Sequence, residues 1–182
     1  IEDTKHITTM SFKTPNDFII VLGGLNGKLG GSEYLKTIHG RIEGPIAPLN
    51  IEFEMRVQEV CLEAIKKGIV NSAHDISDGG LLVNIAESII AAEPGIGAKI
   101  DCERRLRTDE LLFGECQSAI IITIPENNLI DLIMISQELD IPTQTIGRVT
   151  DNNLLTVNQN ISVERPKLES AYNLSFENIM KG

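Results

Sequence analysis

The chain has 182 residues, a formal net charge of −10 and 42 % hydrophobic residues, which suits one globular domain with a core of its own. Its acidity runs along the whole chain without an acidic tail, and Trp is absent, so a nucleic-acid surface and base-stacking platforms are excluded as expectations. No apolar run reaches the roughly 18 residues of a membrane span, no signal-peptide pattern opens the chain, and Cys61, Cys102 and Cys116 are odd in number with no C-x-x-C pair, so no disulfide framework or zinc site is expected and a reducing cytoplasm fits.

Residues 1–16 read as an extended arm or linker entering from a preceding domain, and 17–182 as the domain itself; the opening Ile1-Glu2, without Met, reads as the start of a piece of something longer. Over 17–24 the run Phe18, Ile19, Ile20, Val21 and Leu22 ends at Gly23 and Gly24, the pattern of a buried strand. A glycine-rich loop follows, containing Gly30, Gly31, Ser32 and Glu33, and opens a short helix (Tyr34, Leu35, Ile38) that stops at Gly40. The loop lacks the Walker spacing and is no P-loop; a plain turn with Ser32 as N-cap is the reading preferred here. After a connector over 44–48, a helix over 51–67 carries Phe53, Val57, Val60, Cys61, Ala64 and Ile65 and ends at Gly68. Cys61 falls on its apolar stripe as a small packed hydrophobe.

Next comes the most informative stretch. Ile69 and Val70 lead in as a short strand, a tight turn follows, and Leu81, Leu82, Ile85, Ala86, Ile89 and Ile90 recur at helical spacing. Ser77 or Asp78 is the natural N-cap, which puts Gly79 and Gly80 in the first turn. Two readings of those glycines stand side by side. Bare amides at a helix start are an open phosphate cradle, and Asp75 and Asp78 beside it then require Mg²⁺ between carboxylate and phosphate. Alternatively the glycines only permit close helix packing while Asp78 caps. His6, His39 and His74 form no HExxH or triad pattern, and on a strand His74 and Asp75 are expected to point to opposite faces.

The remainder reads as a strand over 98–100, a helix or turn over 106–113, a strand over 119–124, a helix over 129–139, a strand over 143–149, a hairpin of 154–157 with 161–163, and a helix over 168–180. Glu115, Cys116 and Gln117 crowd polar groups against the apolar 119–124 strand; an ordinary solvated loop is the plainer reading, and without a nearby His, cysteine catalysis is not indicated. Strands alternating with helices give an α/β, or α+β layered, fold with a mixed sheet and flanking helices.

Three patterns in order, Gly30-Gly31-Ser32-Glu33, then His74-Asp75-Ile76-Ser77-Asp78-Gly79-Gly80-Leu81, then Leu112-Phe113-Gly114-Glu115-Cys116-Gln117-Ser118, resemble the C-terminal domain of the aminoimidazole ribonucleotide (AIR) synthetase superfamily. The middle pattern alone is also similar to thiamine-monophosphate kinases and a hydrogenase maturation protein. The last pattern, with Ile146-Gly147-Arg148-Val149 and His6-Ile7-Thr8-Thr9, resembles the phosphoribosylformylglycinamidine synthases (the PurL family), over nearly the whole chain from about His6 to beyond Val163.

That resemblance implies an ATP-dependent ligase of purine synthesis. It activates the amide oxygen of formylglycinamide ribonucleotide by phosphorylation, and ammonia from a glutaminase then displaces phosphate. It also implies further PurL domains in cis, a glutaminase subunit and, for the small type of protein, a PurS-type subunit. The family carries its N- and C-terminal domain pair twice, and the form of the middle pattern resembles the second C-terminal copy. That copy flanks an auxiliary site for ATP or ADP with Mg²⁺ and is not catalytic by itself. By position, Asp75 corresponds to the Mg²⁺-binding Asp, Ser77, Asp78, Gly79 and Gly80 to a nucleotide phosphate site, and Glu115, Cys116 and Gln117 to a substrate-contacting Glu-Ser-Gln triplet. Cys116 departs from Ser, a weaker hydrogen-bonding group in its place. The family's catalytic His lies in its N-terminal type domains, so no catalytic residue is assigned here. Another AIR-synthase-type member, a self-contained kinase or a ligand-free interaction domain are the alternatives.

Overall fold

The computed structural model describes residues 3–102, 107–158 and 160–181. In chain order these form a 3-10 turn (Thr4–His6), β1 (Phe18–Gly23), α1 (Glu33–His39), α2 (Ile51–Lys66), β2 (Ser72–Asp75), α3 (Gly80–Ile90), β3 (Gly97–Ile100), α4 (Thr108–Phe113), β4 (Ala119–Ile124), a second 3-10 turn (Glu126–Asn128), α5 (Leu129–Glu138), β5 (Thr143–Thr150), β6 (Leu154–Val157), β7 (Ile161–Glu164) and α6 (Arg165–Lys181). The strands build one seven-stranded sheet in the order β2-β4-β1-β5-β3-β6-β7. Neighbours are antiparallel except β3 and β6, which run parallel. The expected mixed sheet with flanking helices is what forms.

β1 pairs with β4 on one side and β5 on the other, so both of its edges are hydrogen-bonded and it lies inside the sheet. Alternation along the strand sends Ile19 and Val21 to one face, where they meet Leu81, Ile85 and Ile89 of α3. Ile20 and Leu22 go to the other, against Val57, Val60 and Ala64 of α2 and Leu132 and Ile135 of α5. A strand buried on both faces has no place for a polar residue, which is why this run reads as unbroken aliphatics. Burial of each such side chain is worth roughly 1.5–3 kcal/mol.

Helix ends explain several boundaries. Asn50 caps α2, its Oδ1 accepting from the Phe53 N–H at 3.1 Å. At the other end the Ile69 N–H returns to the Ala64 carbonyl and the Gly68 N–H to Ile65, a Schellman-type closure. Ile69 and Val70 therefore finish the helix and plug the second core instead of forming the expected strand, and β2 starts only at Ser72. The C-terminal helix begins three residues before the expected 168. Pro166 fits its first turn, where no N–H is needed. The buried Arg165 guanidinium there donates to the carbonyls of Ala92 (2.6 Å), Ile90 (3.4 Å) and Glu93 and pairs with Glu169 at 2.7 Å, tying α6 to the end of α3. The expected 106–113 helix is seen from Thr108; Leu106 lies outside the described residues.

The arm packs against the domain. The Ala73 N–H donates to Thr9 O and the Phe12 N–H to Ser88 O, both at 3.1 Å, and Phe12 is buried. This covers part of the free edge of β2. Among the described residues no helix is long and apolar enough to cross a membrane.

Candidate functional site

β2, on the edge of the sheet, delivers Asp75 to the sheet's end, and the Ile76 N–H bonds back to Ala119 O while its side chain buries. The chain then turns into α3 through two consecutive left-handed residues, Gly79 (φ 80°) and Gly80 (φ 72°). A β-carbon on Gly80 would lie 2.7 Å from the carbonyl carbon of Phe113 and 2.8 Å from Gly114 O. Side chains are strongly disfavoured in that conformation, and here backbone also closes the space. The glycines are thus required by conformation and close packing.

The expected cap by Ser77 or Asp78 is corrected. Gly79 occupies the cap position without a side-chain bond, because the left-handed turn leaves both polar residues upstream of it. Two other groups take over the amides. Asn84, buried on the first turns of α3, accepts from the Ser77 N–H at 3.0 Å. Glu115 reaches in from the α4–β4 connection, and its Oε1 accepts from the Gly79 N–H at 2.9 Å. The Gly80 N–H is bonded to Ser77 O at 3.0 Å. At Gly79 the helix start is not bare: a carboxylate stands where one of the two readings of the glycines has an open cradle.

The same Glu115 oxygen accepts from the Glu33 N–H, the first residue of α1, at 2.8 Å. Glu115 and Lys28 exchange backbone hydrogen bonds at 3.3 and 3.2 Å, which fixes that position beside the glycine-rich loop. Ser32 caps α1 as expected, accepting from the Leu35 N–H at 3.3 Å and donating to Leu29 O at 2.6 Å. Gly30 and Gly31 lie under the following connector, the Gly31 N–H donating to Glu43 O. Lys36 is held toward its protonated form chiefly by Glu33 at 2.8 Å, with a weaker attraction from Asp78 across the gap. The three patterns read separately in the sequence therefore converge on one carboxylate.

Cys116, next in the triplet, is buried, and burial pushes its thiol up to about 11. It is no nucleophile at neutral pH. Gln117 is exposed and lines a cavity of about 190 Å³ with Gly24, Asn26, Pro48, Asn50 and Phe53. A larger cleft of about 580 Å³ shares Gly24 and Asn26 with that cavity and is lined also by Gln144; Asp101 is the charged residue among its described lining.

His74 and Asp75 do meet, contrary to expectation: Nδ1 lies 3.5 Å from Asp75 Oδ1. Asp75 is the last residue of β2, where strict alternation ends. The His74 Nε2 lies 3.1 Å from Glu87 Oε2, which also accepts from the Asn84 Nδ2 at 3.2 Å. Sequence reasoning missed Asn84 and Glu87. The available signal was a polar pair three residues apart inside an apolar helix, where the Asn is fully buried. The Asp75 side chain is 76 % exposed and offers a cation one carboxylate. Among the described residues no three acidic, His or Cys groups come together as a metal cage. One carboxylate fits Mg²⁺ only when phosphates or water supply its other ligands.

The family described as AIR synthase related protein, C-terminal domain, matches residues 14–159. The phosphoribosylformylglycinamidine synthase subunit PurL of Caldanaerobacter subterraneus subsp. tengcongensis is 41 % identical over 85 % of this chain and 21 % of its own length. For that of Alkaliphilus metalliredigens the identity is 41 % over 90 % and 22 %. The chain thus spans about a fifth of the length of these curated relatives. Thermotoga maritima PurL complexed with FGAR shares the fold with a TM-score of 0.76 at 18 % identity, over 91 % of this chain and 30 % of that one. Thiamine-monophosphate kinase from Stenotrophomonas maltophilia does so less closely, with a TM-score of 0.54 at 22 % identity, over 84 % and 53 %.

Proposed function

The chain belongs to the AIR synthase related protein family, as its C-terminal domain, and on that premise we propose that it is one domain of a longer phosphoribosylformylglycinamidine synthase of the PurL type. The support is the 41 % identity to PurL subunits over most of this chain and the meeting of all three family-like patterns at Glu115. The whole protein would amidate formylglycinamide ribonucleotide with ATP and glutamine-derived ammonia. A glutaminase subunit and a PurS-type subunit would be its partners, and the other PurL domains would lie in cis.

In this reading the domain supports the assembly and flanks an auxiliary ATP or ADP site, and it does not catalyse alone. One observation carries that: the Gly79 amide, at the cap of α3, is already engaged by Glu115. A phosphate at Ser77, Asp78, Gly79 and Gly80 requires the Glu115 carboxylate to swing aside, a displacement that other domains and a nucleotide would have to drive. Asp75 is the residue that would hold Mg²⁺, which bridges carboxylate and phosphate when bound. Gln117, exposed on its cavity wall, would be the more accessible member of the triplet for a substrate. Cys116, though buried, also lines that cavity.

Calorimetry tests the domain: no micromolar binding of Mg-ATP by the isolated chain is expected, and micromolar binding would refute the half-site reading. For the longer protein carrying this domain, ATP-dependent amidation of formylglycinamide ribonucleotide by ammonia is expected. Phosphorylation of thiamine monophosphate instead would assign it to another branch of the superfamily.

A further inference from the structure

The segment from α1 to the first turns of α2 is built unlike the rest of the chain. α1 buries no residue, and neither does the connector over 40–50. Yet Ile38, Ile42, Ile46 and Leu49, continued by Ile51 and Met55 of α2, are 56–80 % exposed. On α5, by contrast, the exposed Ile130, Ile133 and Met134 ride on an element with an inward face of its own, Leu132 and Ile135. α1 and the connector have no such face, and Ile51 and Met55 extend the exposed row onto α2 ahead of its first buried residue, Val57. The segment is held from beneath by stacking of Tyr34 on Phe113 (4.9 Å) and by the Gly31 to Glu43 hydrogen bond, while Pro45 and Pro48 stiffen it. A pre-set ridge of large aliphatics without a core is the build of an interface.

We propose that this ridge is buried against an apolar, weakly charged face of another domain of the same longer polypeptide. The inference rests on the reading of the chain as one domain of a PurL-type protein, whose curated relatives are about five times as long as the part matched here. A second copy of this chain is the poorer occupant, since a net charge of −10 on each copy opposes self-association. The placement also has a consequence for the site. Ala47, Pro48 and Asn50 belong to the connector and line the Gln117 cavity, so a domain seated on the ridge walls off that cavity.

Ile46→Cys and, as a reference away from the ridge, Lys67→Cys are made in the isolated chain and in the longer protein, and maleimide labelling is timed at pH 7 by peptide mass spectrometry. Cys61, Cys102 and Cys116 are buried and contribute little background. Relative to position 67, position 46 is expected to label at least tenfold more slowly in the longer protein than in the isolated chain. Equal relative rates in the two proteins overturn the proposal. Protection already present in the isolated chain and relieved by dilution also overturns it, in favour of a second copy. Ile42→Cys repeats the measurement should the first variant fold poorly. The labelling ratio is independent of turnover, so loss of the amidation reading and loss of this interface are told apart.

Discussion

The Glu115 Oε1 atom lies 2.9 Å from the Gly79 amide nitrogen, so the start of α3 is closed by a side chain 36 residues further along the chain. Because the same oxygen also takes the Glu33 N–H, removing it strands two backbone donors at once. Glu115→Ala is expected to cost the isolated domain about 1–3 kcal/mol. Glu115→Gln keeps an acceptor and should cost less. Urea midpoints decide it, and an Ala variant as stable as the parent would show that the carboxylate does not staple the two helices.

Gly80 and Gly40 form a natural pair of controls. Both have positive φ, but a β-carbon on Gly40 meets nothing within 4 Å, whereas on Gly80 it runs into the Phe113 backbone. Gly40→Ala should cost about 1 kcal/mol, the conformational part alone. Gly80→Ala should cost clearly more, roughly 2–4 kcal/mol, since α3 and α4 must separate. Equal losses in thermal unfolding would mean that close approach plays no part.

Arg165 serves as the clasp of α6. Its planar fork satisfies carbonyls at the end of α3 from a buried position, a geometry a point-charge ammonium does not reproduce. Arg165→Met is expected to lose roughly 2–4 kcal/mol and to speed hydrogen exchange in α6 ahead of the sheet. Arg165→Lys should recover little of this.

Burial lifts the thiols of Cys61, Cys102 and Cys116 from an ordinary 9.0 to about 11. The folded state therefore holds these protons more tightly than the unfolded chain does. The associated stability is complete below 9.0 and disappears as pH climbs toward about 11, on the order of a few kcal/mol in total. Unfolding free energy measured from pH 8 to 11 should fall, and a variant with all three cysteines changed to Ala should show a shallower fall. An unchanged slope would place the alkaline sensitivity elsewhere.

The elements decided by local chemistry were readable in advance. The runs of β1 and β4, the Ser32 cap and the stop at Gly68 each follow from a few neighbouring residues, and the mixed sheet follows from their alternation. What failed was settled by distant contacts. Asp78 looked like a cap because nothing local announces Glu115, and Ile69 and Val70 looked like a strand because their burial against α5 has no signature in the sequence.

The site divides in the same way. Its glycines, Asp75 and the Glu115-Cys116-Gln117 triplet stood out by type and by resemblance, but no spacing rule brings Glu33, Gly79 and Glu115 together. Asn84 could have been found, since an amide set among Leu81, Ile85 and Ile89 is costly unless it serves a partner. That partner, the Ser77 N–H, is the turn itself.

β1 closes its sheet only with strands that begin about a hundred residues later. During synthesis on the ribosome its aliphatic run must wait, unpaired, until β4 and β5 have emerged. Such non-local pairing makes for slow folding and a lengthy window of stickiness. The nascent polypeptide is therefore expected to be a chaperone client, and truncation anywhere before residue 119 should yield insoluble material rather than a smaller folded unit.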